Sequence, residues 1–424
     1  MNERIAGSGQ AADTVRGATV MIGTLCAIYM VSQFLRNSIG VIAPNLATEM
    51  ALSATEIGLL SSVFFLSFTA VQLPLGMALD RFGPKRCMLV CAAMALVGLG
   101  VFITGSSGSE LILGRVLLGL GSASFFMGPL AIYARWFNPG LFSSLTGIQL
   151  GFGTIGTLAA TAPLALATAA FGWRASFAAV AAVILVAVVL IVVAVRDAPP
   201  GAAAPARHES FRESMAGVLA VLRTPSMLPV FALHFTGYAA LALLLGLWGG
   251  PYLTHIHGYG LEGRGNILLL LALAQIAGLF LWGPADRLVG SYKLPVACGA
   301  LGTAGLLLVL ALAGPLPIPG LIAWFAAFGL VSAFMPVLIA HGKALFPPHL
   351  VGRGITVMNT GTMGGVFVSQ SVSGIVIQLF DVAPGGAYPL AAYQTVFGLQ
   401  AGVLILATAY YLRARDPRRE PAAV

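Results

Sequence analysis

Gly76-Met77-Ala78-Leu79-Asp80-Arg81-Phe82-Gly83-Pro84-Lys85-Arg86 sets a cluster of charges between two long apolar runs, and this stretch decides the fold. Residues 55–79 upstream and 87–104 downstream are almost wholly apolar, so the charged turn joins two membrane helices on one face of a bilayer. Gly83 permits a tight turn, and Pro84 suits the first position of the next helix. Asp80 stands at the C-terminal end of its own helix, where the dipole is already negative. Its carboxylate is electrostatically misplaced and takes a positive partner from elsewhere, by a contact that a change of shape can make and break.

Charged residues are 8% of the 424-residue chain and hydrophobic ones 58%, with a mean hydropathy of +0.94. A soluble chain carries about 25% charged residues, so this is a polytopic membrane protein. The net charge of +8 is spread over many loops rather than gathered on one soluble unit, so nucleic acid is not an expected partner. Residues 1–16 are polar and lack a signal-peptide core, so no cleaved leader is expected. Cys26, Cys87, Cys91 and Cys298 lie in apolar segments and read as buried thiols.

A spanning helix needs ~20 apolar residues. Twelve segments qualify: 18–43, 55–79, 84–104, 109–134, 142–168, 173–196, 226–250, 264–283, 292–313, 318–342, 353–380 and 389–412. Residues 1–17 read as an N-terminal tail, 18–196 and 226–412 as two six-helix bundles, 197–225 as a central linker and 413–424 as a C-terminal tail. The linker holds a Pro- and Ala-rich piece, Pro199 to Pro205, and a short amphipathic helix from His208 to Arg223. With the N-terminus inside, 18 Lys and Arg fall on the cytoplasmic side and only Arg174 and Arg264 outside, which places both termini in the cytoplasm and the chain in the cell membrane. The second half echoes the first. Ala43-Pro44-Asn45-Leu46 returns as Gly250-Pro251-Tyr252-Leu253, Asp80-Arg81 as Asp286-Arg287, and Phe137-Asn138-Pro139 as Phe346-Pro347-Pro348, at offsets of 207, 206 and 209.

The pattern Gly76-x-x-x-Asp80-Arg81-x-Gly83-x-Lys85-Arg86 closely resembles the signature loop between helices 2 and 3 of the major facilitator superfamily of secondary transporters. That resemblance implies an all-α protein of twelve transmembrane helices in two pseudo-symmetric bundles, with solute bound near the midplane between them and access alternating by rocking. Gly114-Arg115-x-x-x-Gly119-x-Gly121 resembles the family's helix 4 motif, which makes Arg115 a coupling or a structural residue. Arg36, Gly40, Pro44, Gln72, Pro74, Gly76 and Gly172-Trp173-Arg174 resemble the branch of organic-anion, nitrate and lysosomal-dipeptide carriers. Exporting antiporters of the family often carry Gly-Pro followed by Gly-Gly in helix 5. This chain has Gly147, Gly151, Gly153, Gly156 and Ala162-Pro163 there and lacks that run, which argues against a drug/proton antiporter.

An arginine at a helix centre costs ~2.5–3.5 kcal/mol on insertion scales, so Arg36 and Arg115 must face the protein interior. Tyr29, Gln33, Arg36 and Gly40 share one helical face, flanked by Asn37. Arg36 is therefore expected to line a cavity and receive an anionic group of the solute; snorkelling to headgroups is the structural alternative. No Asp or Glu is expected to be buried, so a coupling proton or ion would fall to the solute's own carboxylate or to a histidine. His234 and Tyr238 share a face of helix 7, and Asn359 and Gln370 a face of helix 11. Gln149 belongs to a weakly polar face of helix 5. These five residues, with Tyr29, Gln33, Arg36 and Asn37, are the expected binding set. Asp80, Arg81, Lys85 and Arg86, with Asp286 and Arg287, are the expected gate.

Gly258-x-Gly260-x-x-Gly263 lies in an external loop with no preceding strand and reads as a turn, not a nucleotide fingerprint. No nucleophile elbow, zinc helix or pair of membrane carboxylates occurs, so the chain is not expected to be an enzyme or to hold a cofactor. The expectation is a monomeric, bilayer-embedded carrier of a small organic solute, anionic or zwitterionic, working by symport. The alternatives are an efflux antiporter of the same family and a channel.

Overall fold

The computed structural model describes residues 2–137, 139–199, 211–346, 351–383 and 386–418, and regular structure among them is helical. Pass 1 is Asn2–Asn37 continued by Ile39–Met50, and pass 2 is Ala54–Ala70 with Gln72–Phe82. Pass 3 is Pro84–Thr104, pass 4 Gly108–Ser122 with Ser124–Trp136, and pass 5 begins as Pro139–Ala159. The helix Ala162–Ala194 contains the end of pass 5 and all of pass 6, divided at Gly172, whose φ of 80° only glycine adopts at no cost. Pass 7 is Met227–Leu243, a π-turn Leu244–Trp248 and Gly249–His257; pass 8 is Leu261–Trp282 and pass 9 Lys293–Leu312. Pass 10 is Ile318–Ser332 with Met335–Leu345, pass 11 Val351–Gln378 and pass 12 Leu390–Tyr411. The linker helix covers Phe211–Leu222, while its expected start at His208, the Pro-rich piece after Pro199, and Asn138, Pro347 and Pro348 of the repeat lie outside the described residues.

Three of the breaks, and the π-turn of pass 7, follow from proline. A proline at position i removes the hydrogen bond to the carbonyl of i−4 and clashes with it. Helices accordingly end at Ala70, Ala159 and Ser332, each four residues before Pro74, Pro163 and Pro336. Pro251 stands four residues after Leu247, inside the π-turn. The half-passes across the first of these breaks are bent by 46°. At the other end of passes 2 and 4, Ser53 with Glu56 and Ser107 with Glu110 form capping boxes that satisfy the first amides of each helix.

Passes 1–6 and 7–12 form two bundles that meet face to face, and the two ends of their interface differ. At the end away from the chain termini the bundles touch through glycine. A Cβ on Gly250 would overlap the carbonyl oxygen of Gly40, and one on Gly58 would lie 2.8 Å from the carbonyl oxygen of Gln370. Arg264, expected on the outer side at the start of the eighth span, is buried in this seam. From the first turn of pass 8 its Nε donates to the Val41 carbonyl at 2.8 Å and a terminal nitrogen to Asn45 Oδ1, both in the opposite bundle. Gly258 and Gly260 make the turn before that pass, as their sequence implied.

At the termini end each bundle ties its third helix to the residues after its sixth. Asp197 Oδ1 accepts from the Lys85 amide at 2.6 Å, and Lys85 Nζ donates to the Val192 carbonyl at 2.7 Å. Asp416 accepts from Ser291 Oγ at 2.6 Å and from the Lys293 amide at 3.3 Å, while Lys293 Nζ donates to the Leu412 carbonyl at 2.6 Å. Each carboxylate thus sits at a helix N-terminus, where the dipole favours it. Burial pushes the Asp416 carboxyl up, but its bonds from Ser291 and from the backbone amides of Lys293, Tyr292 and Arg418 together hold it below the ordinary value.

Two expectations about burial need correction. Asp286 and Asp416 are buried, because Arg418 and the start of pass 9 respectively cover them. Cys298 is exposed and Cys91 half-buried, whereas Cys26 and Cys87 are buried, and all four thiols are free.

Candidate functional site

Between the bundles lies a cavity of about 530 Å³. Its walls come from the middle of the passes and from their halves nearest the termini, and the glycine seam closes it on the other side.

Arg36 lies in the last turn of the first helix of pass 1 and is 8% exposed. Its guanidinium lies 4.3 Å from the centroid of the Phe68 ring, and Nη1 faces the Met363 sulfur at 3.9 Å. Thioether sulfur is a weak acceptor, and Nε is buried with no partner. No Asp or Glu lines the cavity among the described residues. Among the described residues this buried guanidinium, with five donors, meets neither a carboxylate nor a carbonyl to receive them.

Arg115 is the contrast. It is fully buried, outside the cavity, and stacked over Phe64 at 4.7 Å. Nε donates to the Leu60 carbonyl at 3.0 Å and Nη1 to the Leu35 carbonyl at 2.6 Å. The break at Ser38 leaves the Leu35 carbonyl short of a helical partner, and Arg115 and the Ser38 hydroxyl supply it. The same residue type therefore does two jobs, set by whether backbone acceptors surround it.

Of the expected binding residues, Tyr29, Gln33, Arg36, Asn37, His234, Tyr238 and Asn359 line the cavity. Asn37 Nδ2 donates to the Gln33 carbonyl at 2.9 Å and approaches Thr157 Oγ1 at 3.5 Å, which fixes the amide beside the arginine. Gln149 and Gln370 do not line it. Gln149 Oε1 accepts from the Tyr133 hydroxyl at 2.8 Å and its Nε2 reaches the Leu25 carbonyl, so it joins passes 1, 4 and 5. Gln370 Nε2 donates to the Ala242 carbonyl at 3.0 Å and so supports pass 7 next to its π-turn. Pass 11 carries both outcomes on one face: Asn359 meets the cavity, and three turns further on Gln370 meets the seam.

The sequence reading missed Phe68, Met363 and Thr362, and did not assign Gln72 or Gln275 to the site although they are polar wall residues. Nothing in an apolar run distinguishes Phe68 or Met363 from core. Their role appears only when pass 2 and pass 11 are brought against Arg36.

The expected gate is at the termini end. Asp80 and Arg81 are exposed and reach nothing in the opposite bundle among the described residues. Lys85 is spent on Val192, and Arg86 and Arg287 are exposed. Asp286 pairs with Arg418 of the chain's own C-terminal segment.

The description "Major Facilitator Superfamily" belongs to a family model that matches residues 25–263 and again 250–423. The chain is 29% identical over 307 residues, 70% of each chain, to the "Probable sulfoacetate transporter SauU" of Cupriavidus necator. It is 33% identical over 155 residues to the "Probable L-galactonate transporter" of Escherichia coli, covering 34% of this chain and 31% of that one. Among solved structures, a bacterial homolog of the human lysosomal transporter Spinster superposes with a TM-score of 0.74 at 19% identity, over 93% of this chain and 96% of that one. A family match repeated over both bundles, on a fold of twelve passes around a central cavity, makes this chain a member of the Major Facilitator Superfamily of membrane transporters.

Proposed function

We propose that the chain is a secondary transporter that carries a small organic anion by alternating access, with the cavity open here to the cytoplasm. The observation that carries this reading is Arg36: a buried cation, its donors unspent, on the wall of a cavity that has no carboxylate among its described residues. Charge-assisted, bidentate bonds to a carboxylate or sulfonate would satisfy it. The excess of Lys and Arg at the termini end supports a cytoplasmic location for that end. The names of the sulfoacetate and L-galactonate transporters point to the same solute class. A zwitterion fits less well, because the wall offers no anion to its ammonium group.

Purified protein in liposomes preloaded with sulfoacetate or galactonate is expected to give saturable counterflow of the labelled anion. Flux that does not saturate and shows no counterflow would mean a channel, and no flux of either anion would overturn the reading.

Asp80 and Arg81 would engage the opposite bundle when the cytoplasmic end closes and the cavity faces outward. Asp80 stands exposed and unengaged here, as that cycle requires of the inward-open state. Asp80→Asn is expected to shift the population toward the inward-open form and slow transport severalfold, with solute affinity measured from the cytoplasmic side unchanged. Spin-label distances across the termini end check it, and an unaltered distance distribution in the presence and absence of solute would remove Asp80 from the gate.

A further inference from the structure

We propose that His234 Nε2 is the proton-binding site that couples solute movement to a proton, so that the cavity loads one anion on Arg36 and one proton on His234. The proposal rests on the anion reading above and adds the coupling ion and its residue.

His234 is 1% exposed and forms part of the cavity wall. Its Nδ1 lies 3.2 Å from Thr362 Oγ1, and that hydroxyl donates its proton to the Met358 carbonyl at 3.0 Å. In the tautomer that keeps both of these bonds, Nδ1 donates to the hydroxyl oxygen and Nε2 holds the ring's free lone pair. Nε2 is buried and has no hydrogen-bond partner. Leaving such an atom unpaired costs ~1–3 kcal/mol, a standing incentive for a proton or a donor.

The groups that act on the ring are few. Tyr238 stands one turn along the same helix, Arg36 and Tyr29 face the cavity from pass 1, and pass 10 contributes His341 and the Leu338 carbonyl. Pass 11 offers only Thr362, Met358 and Asn359, and pass 8 offers Gln275, none of which titrates. His341 is held by the Tyr411 hydroxyl at 2.7 Å and the Arg415 carbonyl at 2.8 Å, away from the cavity. His234 is thus the group of the wall whose ordinary titration lies near neutral pH.

Charge makes the coupling. In the empty cavity Arg36 is the one full charge on the described wall, and a proton on His234 would add a second positive charge in a space that screens poorly. An anion on Arg36 cancels the first charge, and the Nε2 lone pair then takes a proton from water at the open end to form an N–H. By linkage, the anion raises the affinity for the proton by the same factor as the proton raises the affinity for the anion. The cavity carries the same net charge empty as when loaded with a monoanion and a proton. Both forms then meet the same electrostatic cost of closing.

The test is calorimetric binding of galactonate, a monoanion, to the full-length protein, over about pH 6 to 8, in buffers of different ionisation enthalpy. Its carboxylate remains ionised across that window. The wild type is expected to take up a proton on binding, approaching one per anion, with affinity falling as pH rises by up to about tenfold per unit. His234→Gln and His234→Asn are expected to bind with no proton uptake and an affinity indifferent to pH, a change that a purely structural role would not produce. Wild-type binding without proton uptake, or uptake preserved in a folded His234 variant, overturns the proposal while leaving the anion reading intact. Failure of the wild type to bind any organic anion overturns both. The wild-type proton count needs no variant to fold.

Discussion

Arg36→Gln is expected to weaken binding of an organic anion by about 30-fold to several thousandfold and, in the same protein, to raise the melting temperature of the empty carrier. The first effect follows from deleting one partner of a desolvated charge pair, which costs ~2–5 kcal/mol, at about 1.4 kcal/mol per tenfold in affinity. The second follows from the empty site. A guanidinium there meets only a ring face and a thioether sulfur, so its desolvation is poorly repaid. Glutamine removes that cost. Arg36→Lys keeps the charge but not the planar fork and is expected to fall between the two. Thermal unfolding with and without sulfoacetate reads both effects in one experiment. Loss of stability in the empty Arg36→Gln protein, or full affinity in Arg36→Lys, would show that the arginine is not waiting for a bidentate anion. Arg115, whose bonds are to the carbonyls of Leu60 and Leu35, marks what a structural arginine looks like in the same bundle.

Gly250→Ala is expected to hold the end away from the termini open and to cut transport by about tenfold or more. The added methyl would overlap the Gly40 carbonyl oxygen, and in the reverse direction a Cβ on Gly40 would overlap the Leu245 carbonyl oxygen. The seam is therefore backbone against backbone from both sides, with no flexible side chain to yield. Overpacking of this kind costs ~1–3 kcal/mol, and the strain exists only while the seam is shut. A penalty confined to one of two states shifts their ratio by about 5- to 150-fold. Cysteine accessibility along the seam should rise and cytoplasmic access to the cavity should fall. Gly151→Ala, where a new Cβ meets nothing, is the control. Wild-type transport and accessibility in Gly250→Ala would mean that the bundles do not close as tightly in the membrane as their packing here implies.

Membrane spans were readable from residue type alone because every backbone polar group in a bilayer must be satisfied within its own helix, so a long apolar run has one outcome. Three of the breaks inside them were equally local: Pro74, Pro163 and Pro336 each end a helix four residues upstream, by chemistry that involves no other pass. Arg36 was legible for a related reason, since a charge within a span must find an interior surface, and the stripe of Tyr29 and Gln33 on its face shows which side that surface is on. Even the end network left a trace, Arg196-Asp197 and Arg415-Asp416 after the sixth and twelfth passes, though without coordinates nothing says that these carboxylates cap Lys85 and Lys293.

Which polar residues share the cavity was another matter. Gln149, Asn359 and Gln370 are alike in residue type and in their place within a span, yet only Asn359 reaches the solute space. A buried amide serves equally well as a wall donor or as a bridge to a neighbouring carbonyl, and the choice depends on which pass stands opposite. Arg264 was legible only as an outer-end cation and is a bridge between bundles for the same reason. Helices, their ends and the need for an interior acceptor were settled along the chain, because those forces act between residues a few positions apart. The membership of the cavity and the placement of the seam were settled only by how twelve passes pack, because Gly40 against Gly250 and Arg264 against Val41 are contacts between residues more than two hundred positions apart.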